Sequence, residues 1–268
     1  MQRVDYLIDY ILKENPEIKV NKQPESPQEK FNLYRSLCNI RKARPISDEY
    51  IHVENKYLQD ILKNKKCIHY EDIKTINQEY PTNNVKNGDK ISLYQGDITT
   101  IEIDAIVNAA NSQGLGCFIP CHNCIDNQIN TYAGVSLRLE CNEYMKKIDY
   151  NLPTGEAFIT RGYNLPASYV IHTVGPAISD MVHEKQKEEL SNCYKNCLAK
   201  AQEKRIRSIA FCSISTGVFR FPKDLASQIA IKTVDSYLEE NYEHFDKIVF
   251  NVYSNGDKDI YERLFQKS

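Results

Sequence analysis

Four soft or borderline metal ligands crowd into eight positions, Cys117-x3-Cys121-His122-x-Cys124. Thiolate and imidazole at this density suit Zn2+, which takes sulfur and nitrogen donors in a tetrahedral set. A closed structural site needs four protein ligands, often from two separate knuckles, and no second cysteine pair lies nearby in the sequence. Neighbours such as Cys121 and His122 rarely reach one ion together. The pattern therefore favours three ligands, Cys117, His122 and Cys124, with a fourth position open to water or substrate, as in a catalytic zinc. Reduced thiols in a glycine-containing loop are the plainer alternative. Two residues on, Asp126 can orient a water or a substrate hydroxyl, or cap a helix that begins near Asn127.

Further polar groups fall where apolar runs end. Asp97, in Gly-Asp-Ile-Thr, can accept a hydrogen bond from an exocyclic amine such as that of adenine, or cap a turn with Thr99. Asn108 and Asn111 flank two alanines; they can bond a sugar or satisfy loop backbone. Residues 213–222, SISTGVFRFP, lie between an apolar run and a helical pattern. Small residues there let backbone N–H groups approach a phosphate, and the helix N-terminus adds positive potential; a tight strand-to-helix turn needs the same residues. Cys193 and Cys197, one helical turn apart, read as core thiols, and His172 in YVIHTVG as an interior histidine.

These groups need a scaffold, and the chain predicts one in two parts. Before residue 80 the apolar spacing is helical: 1–14, a second helix through Phe31, Tyr34, Leu37 and Cys38, and a third capped at Ser47 or Asp48. The loop-like 80–89 separates this all-helical extension (1–85) from a second domain (90–268). There, strands at 91–95, 104–108, 157–161, 169–174, 208–214 and 247–253 alternate with helices at 127–145, 183–204, 223–240 and 257–266. That alternation predicts a layered α/β fold with a parallel or mixed sheet. Ligands of such folds collect beyond the C-terminal ends of the strands.

At 268 residues, 41% hydrophobic and 26% charged, the chain has the composition of a globular protein. A net charge of −2 and a pI of about 6.3 argue against a broad nucleic-acid footprint. No apolar run approaches the ~20 residues that span a bilayer. The N-terminal stretch carries acids within its apolar pattern and no small-residue cleavage site, so it reads as a helix and not as a secretory leader. Nine cysteines, an odd count, read as free thiols or metal ligands. A cytoplasmic protein is expected.

Six motifs in order, GDIT (96–99), DAIVNAAN (104–111), Ala133-Gly134, PTGEAFITRGYNLP (153–166), YVIHTVGP (169–176) and STGVFRFP (215–222), resemble the macrodomain pattern over about residues 90–266. With the Cys/His loop and the helical extension, the chain is similar to the zinc-containing macrodomains, microbial protein-ADP-ribose hydrolases often encoded beside a sirtuin-like ADP-ribosyltransferase. The resemblance implies an α/β/α three-layer sandwich with a mixed sheet. It implies ADP-ribose in a cleft at the strand ends and a mono-ADP-ribosylated protein as substrate. Asp97 would take the adenine amine with Ile98 beside it, and Tyr253 would stack on the base. The backbone of Ser215, Thr216, Gly217, Val218 and Phe219 would hold the diphosphate. Asn111, catalytic together with Asp126 on this resemblance, would contact the distal ribose, next to zinc on Cys117, His122 and Cys124, and Cys124, Ile125 and Asp126 would line the same pocket. Arg220 departs from the pattern, standing where many macrodomains have glycine, as does Asn130, where relatives have histidine. The implied activity is removal of ADP-ribose from a carboxylate-linked side chain. A reader with a structural zinc, or a hydrolase of a free ADP-ribose ester, are the alternatives.

Overall fold

The computed structural model describes residues 2–20 and 22–266. Three helices open the chain. Helix α1 (Arg3–Glu14) buries Val4, Leu7, Ile8 and Ile11 along one face. Helix α2 (Pro27–Ile40) starts in a capping box, in which Ser26 Oγ accepts from Glu29 N–H at 3.2 Å and Ser26 N–H donates to the Glu29 carboxylate at 3.0 Å. Helix α3 (Asp48–Lys63) is capped by Ser47, whose Oγ accepts from Tyr50 N–H. Their apolar stripes meet in a cluster of their own around Leu7, Ile11, Tyr34, Leu37, Tyr50 and Leu58, and Val135 from downstream joins it. The short strand β1 (Ile68–His69) and the single turn α4 (Ile76–Glu79) follow, so the described regular elements before residue 80 are helical apart from β1.

The main sheet has β2 (Ile91–Gln95), β4 (Ala105–Ala109), β5 (Ala157–Arg161), β6 (Tyr169–Thr173), β7 (Ser208–Phe211) and β8 (Lys247–Val252) in the order β2-β8-β7-β4-β6-β5. Every pairing is parallel except β5 with β6. Between β2 and β4, the two-residue β3 (Ile101–Glu102) pairs with β1. Strands β7 and β8 are buried at every residue, as central parallel strands covered on both faces must be. Helix α5 (Ile125–Ala133) packs on β4, and α6 (Val135–Met145) and α7 (Glu184–Glu203) on β5. Helix α8 (Lys223–Asn241) packs against α7 and against α9 (Asn255–Gln266), which covers β2. The result is the expected α/β/α sandwich with a mixed sheet. The segment 80–89 is pinned to α8, with Lys86 N–H and Asn87 N–H both donating to the Asp235 carboxylate.

One expected helix, 127–145, is two. The break is Gly134, at φ +90°, where a Cβ would stand 2.7 Å from Glu54 Oε2. Glu54 comes from α3 and reaches into the start of α6. Its Oε2 accepts from Val135 N–H at 2.9 Å, and its Oε1 from the hydroxyls of Tyr34 (2.7 Å) and Tyr50 (3.4 Å). A carboxylate at a helix N-terminus is well placed, but this one is wholly buried. Desolvation outweighs the donors and the more distant Arg41, and pushes the carboxyl up to about 7.

Folded Glu54 therefore binds its proton more tightly than the unfolded chain does. Its contribution to stability is complete below about pH 4.5 and is lost as the pH rises toward 7. Replacing it with a side chain that does not ionise, Glu54→Gln, should remove this component. The advantage of wild type over the variant in unfolding free energy should shrink by roughly 3 kcal/mol across that window. Urea unfolding at several pH values measures it; a constant difference sinks the assignment.

Candidate functional site

Four parallel neighbours, β2, β8, β7 and β4, end on the same edge of the sheet. Asp97 follows β2, Tyr253 follows β8, residues 213–221 follow β7, and the Cys/His loop follows β4. After β4 the chain builds β5 and β6 on one side and returns to build β7 on the other. The ligand crevice of an open α/β sheet lies at such a reversal.

Within the Cys/His loop, the ligand atoms of Cys117, His122 and Cys124 all lie within 4.8 Å of one another, with Cys117 Sγ 3.6 Å from His122 Nδ1. Zinc bonds of about 2.0–2.3 Å hold tetrahedral ligands roughly 3.5 Å apart, so this set of two sulfurs and one nitrogen fits a zinc ion after a small closure. Cys121 turns away, at φ +52°, and its thiol donates to Asn32 O. Cys124 caps α5, its sulfur accepting from Asn127 N–H at 3.4 Å. Desolvation pushes the Cys124 thiol up to about 12, helped by Cys117 and Asp126 and opposed by Asn127 N–H; a bound dication draws the thiolate from such a thiol. Asn111 spends both ends of its amide on the loop, donating to Gly116 O and accepting from Gln113 N–H. Gly116 sits at φ +84°, where a Cβ would fall 2.8 Å from the Asn130 amide.

Behind the loop runs a buried polar chain. Asp126 Oδ1 accepts from Asn108 Nδ2 (2.8 Å) and Asn130 Nδ2 (3.1 Å). Asn108 Nδ2 also meets His172 Nδ1 at 3.1 Å, and His172 Nε2 meets Thr160 Oγ1 at 2.9 Å. Since the amide nitrogen donates, Nδ1 accepts and the imidazole proton sits on Nε2. Desolvation pulls His172 down to about 3, so the ring is neutral. Desolvation pushes Asp126, 5% exposed, up to about 6 against the pull of Asn108, Arg138 and Asn130. Asn108 is thus a support beneath the site and not the sugar contact that its sequence position suggested. The sequence reading also missed Asn130 as a partner of Asp126; its i, i+4 spacing from Asp126 was the available signal.

The loop after β7 is shaped by two residues in the left-handed region, Ser215 (φ +64°) and Arg220 (φ +57°). Arg220 N–H donates to Gly217 O, Phe221 N–H to Ser215 O, and Ile178 N–H to Phe219 O. Thr216 Oγ1 donates to Ser213 O. Among the described residues a Cβ on Gly217 would meet nothing within 4 Å and Ser215 Oγ is buried without a partner, and Val218 is 71% exposed. At the far end Tyr253 is 81% exposed, not packed at a core edge. Asp97 does cap its turn: Oδ1 accepts from Thr99 N–H (2.9 Å) and Oγ1 (2.6 Å), while Oδ2 takes Lys65 Nζ at 2.9 Å. Desolvation raises its pKa, but the Thr99 and Lys65 bonds outweigh it and hold the carboxyl below its usual value. Lys65 Nζ also lies 3.4 Å over the Tyr132 ring. The Ile98 side chain, next to Asp97, is buried in the main hydrophobic core.

Residues 107–230 match the model of the Macro domain family. A Staphylococcus aureus protein-ADP-ribose hydrolase is 45% identical over 266 residues, 99% of this chain and 96% of that one. A protein-ADP-ribose hydrolase of Treponema medium is 43% identical over 98% of both chains. The Trypanosoma brucei macrodomain, solved in complex with ADP-ribose, superposes with a TM-score of 0.65 at 30% identity, over 90% of this chain and 96% of that one. With this fold, these motifs at the strand ends and relatives alike along almost their whole length, the chain belongs to the macrodomain family.

Proposed function

We propose that this protein is a zinc-dependent hydrolase that removes mono-ADP-ribose from modified protein side chains, the linkage being a carboxylate ester. The observation that carries the reading is the order of groups along one sheet edge. Asp97 and Tyr253, the loop 213–221, and the Cys/His loop with Asp126 follow four adjacent strands. Three strand spacings of about 4.8 Å cover roughly 14 Å, on the scale of a base, a diphosphate and a second ribose laid end to end.

In this reading Tyr253 stacks on adenine and Asp97 accepts from its amine. The backbone of Ser215 through Phe219 holds the diphosphate, with Gly217 leaving room for close approach. Asn111 and the 124–126 stretch, Ile125 included, face the distal ribose. Cys117, His122 and Cys124 hold the zinc, which when bound supplies Lewis acidity toward a ribose oxygen or a water. Asp126, anchored by Asn108 and Asn130, accepts a hydrogen bond from the attacking water and takes its proton as the water oxygen bonds to the ester-linked ribose carbon; the bond from that carbon to the protein carboxyl oxygen breaks, and the side chain leaves as a carboxylate. Grip on adenine and diphosphate positions the reacting bond from a distance. The substrate is made by an ADP-ribosyltransferase, of the sirtuin-like type on the family resemblance. A cytoplasmic setting agrees with nine free cysteines, and no described helix is long and apolar enough to cross a membrane.

Zinc per chain and release of ADP-ribose from an ester-linked substrate, with and without chelator, test the reading together. One zinc and chelator-sensitive release are expected, and His122→Ala or Cys124→Ala should abolish turnover. Zinc with tight ADP-ribose binding and no release would make the protein a reader instead. Release only from a free ADP-ribose ester would make it a metabolite hydrolase. Asp126→Asn should lose turnover by at least about 100-fold while still binding ADP-ribose in calorimetry; near-normal turnover would remove Asp126 from the chemistry. Asp97→Ala should weaken ADP-ribose binding by roughly 1–3 kcal/mol, and unchanged affinity would take Asp97 out of the adenine site.

A further inference from the structure

Helix α2 is distant from the Cys/His loop in sequence and yet touches it along a single stripe. Asn32, Arg35 and Asn39 are spaced by three and four residues, so they share one helix face. Asn32 O accepts from Cys121 Sγ at 3.3 Å. Arg35 Nη2 donates to His122 O and to Asn127 Oδ1, both at 2.7 Å, and its Nε donates to the same Asn127 oxygen at 3.1 Å. Asn39 Oδ1 accepts from Cys121 N–H at 2.9 Å, and its Nδ2 donates to Thr131 Oγ1. Arg35, Asn39 and Asn127 are all buried.

The bonds fall on both sides of the ligand pair. Arg35 holds the carbonyl of His122 itself. Through Asn127 it also holds the residue whose N–H meets Cys124 Sγ and whose side-chain amide donates to Ile119 O at 2.9 Å. Asn39 anchors Cys121, a non-glycine residue at φ +52° next to His122. That conformation is costly for a residue with a Cβ and persists where its surroundings hold it.

We propose that α2 forms one wall of the metal centre. Arg35 and Asn39 are positioning residues that hold loop 117–124 in its ligating shape, so the N-terminal helices set metal affinity. The proposal rests on the zinc reading above. A loop ordered in advance by groups outside its ligand set loses less freedom on binding the ion, and removing such groups typically costs about 10–100-fold in metal affinity.

Competition for zinc against a chromophoric chelator, on the full chain, tests this. The variants are Arg35→Met, Asn39→Ala and Arg35→Lys, whose single ammonium does not reproduce the fork. Arg44→Met serves as the control, because Arg44 lies in the connection between α2 and α3 and bonds Glu14 and Asn15. Arg35→Met and Asn39→Ala should bind zinc about 10–100-fold more weakly, Arg35→Lys should fall between them and wild type, and Arg44→Met should match wild type. The visible spectrum of the cobalt-loaded protein should change in the first two alone. Wild-type zinc affinity in Arg35→Met overturns the proposal, as does an equal loss in Arg44→Met, which would mark general loosening of the bundle. If wild type itself takes up no zinc, the metal reading fails at the first measurement, before any variant is compared.

Discussion

The hydrogen bond between Asn108 and Asp126 is the constraint on which the site depends. It joins the central strand β4 to the first turn of α5 at 2.8 Å and closes the base of the loop that carries Cys117, His122 and Cys124. Both residues are buried, so water does not replace the bond, and an unmade bond there costs roughly 1–3 kcal/mol. Asn108 is in turn oriented by a neutral His172 that accepts on Nδ1, and Phe158 stacks on that imidazole at 4.6 Å. A charged imidazole would donate at Nδ1 and could not receive the amide. Low polarity around β6 thus keeps the ring neutral, the neutral ring can accept the Asn108 amide proton, and the amide holds the carboxylate.

The N-terminal helices enter the same network through buried polar groups and not only through apolar area. Arg138 of α6 donates through Nη1 to the carbonyls of Cys38, Asn39 and Arg41, where α2 ends, and through Nε to Leu115 O in the Cys/His loop. A cation at a helix C-terminus meets the negative end of its dipole. Glu54 does the converse at the N-terminus of α6. The two contacts fix α2 and α3 on α6 in a directional way that an apolar patch alone would leave free to slide, and Lys65 extends the attachment to Asp97 after β2.

Much of the architecture was legible because its signals are local. Period-two and continuous apolar runs gave the strands, and Ser47 marked a helix start by the chemistry of its hydroxyl, whereas the Ser26 cap lies in a stretch that reads as linker. The convergence of Cys117, His122 and Cys124 is also a local matter, since eight residues of loop leave few other arrangements. What stayed hidden depends on partners far away in the chain. Gly134 reads as an interruption within one helix until Glu54, 81 residues from Val135, is seen against it. Asn108 looks like a loop amide until β4 is found to be a central strand, where the alternation that distinguishes inside from outside disappears. The Asp97 carboxylate is legible as a cap, but not its partner Lys65. Arg220 shows why glycine suits its position, since the backbone there is left-handed.

Exposure divides these strand ends into two kinds of surface. Tyr253, Gly217 and Val218 stand open to solvent at one end, while Asp126 and its supports are buried at the other. In the proposed reading the exposed groups recognise a base and a diphosphate, whose binding energy is spent away from the reacting bond. Buried, anchored groups suit chemistry, where misplacement by about 1 Å costs rate by a factor of roughly 100. The rigid end is also the one braced by the N-terminal helices through Arg35, Asn39 and Arg138. The extra helices are therefore concentrated where precision matters most, which gives a physical reason for a helical segment at the front of an α/β sandwich that already has a core of its own.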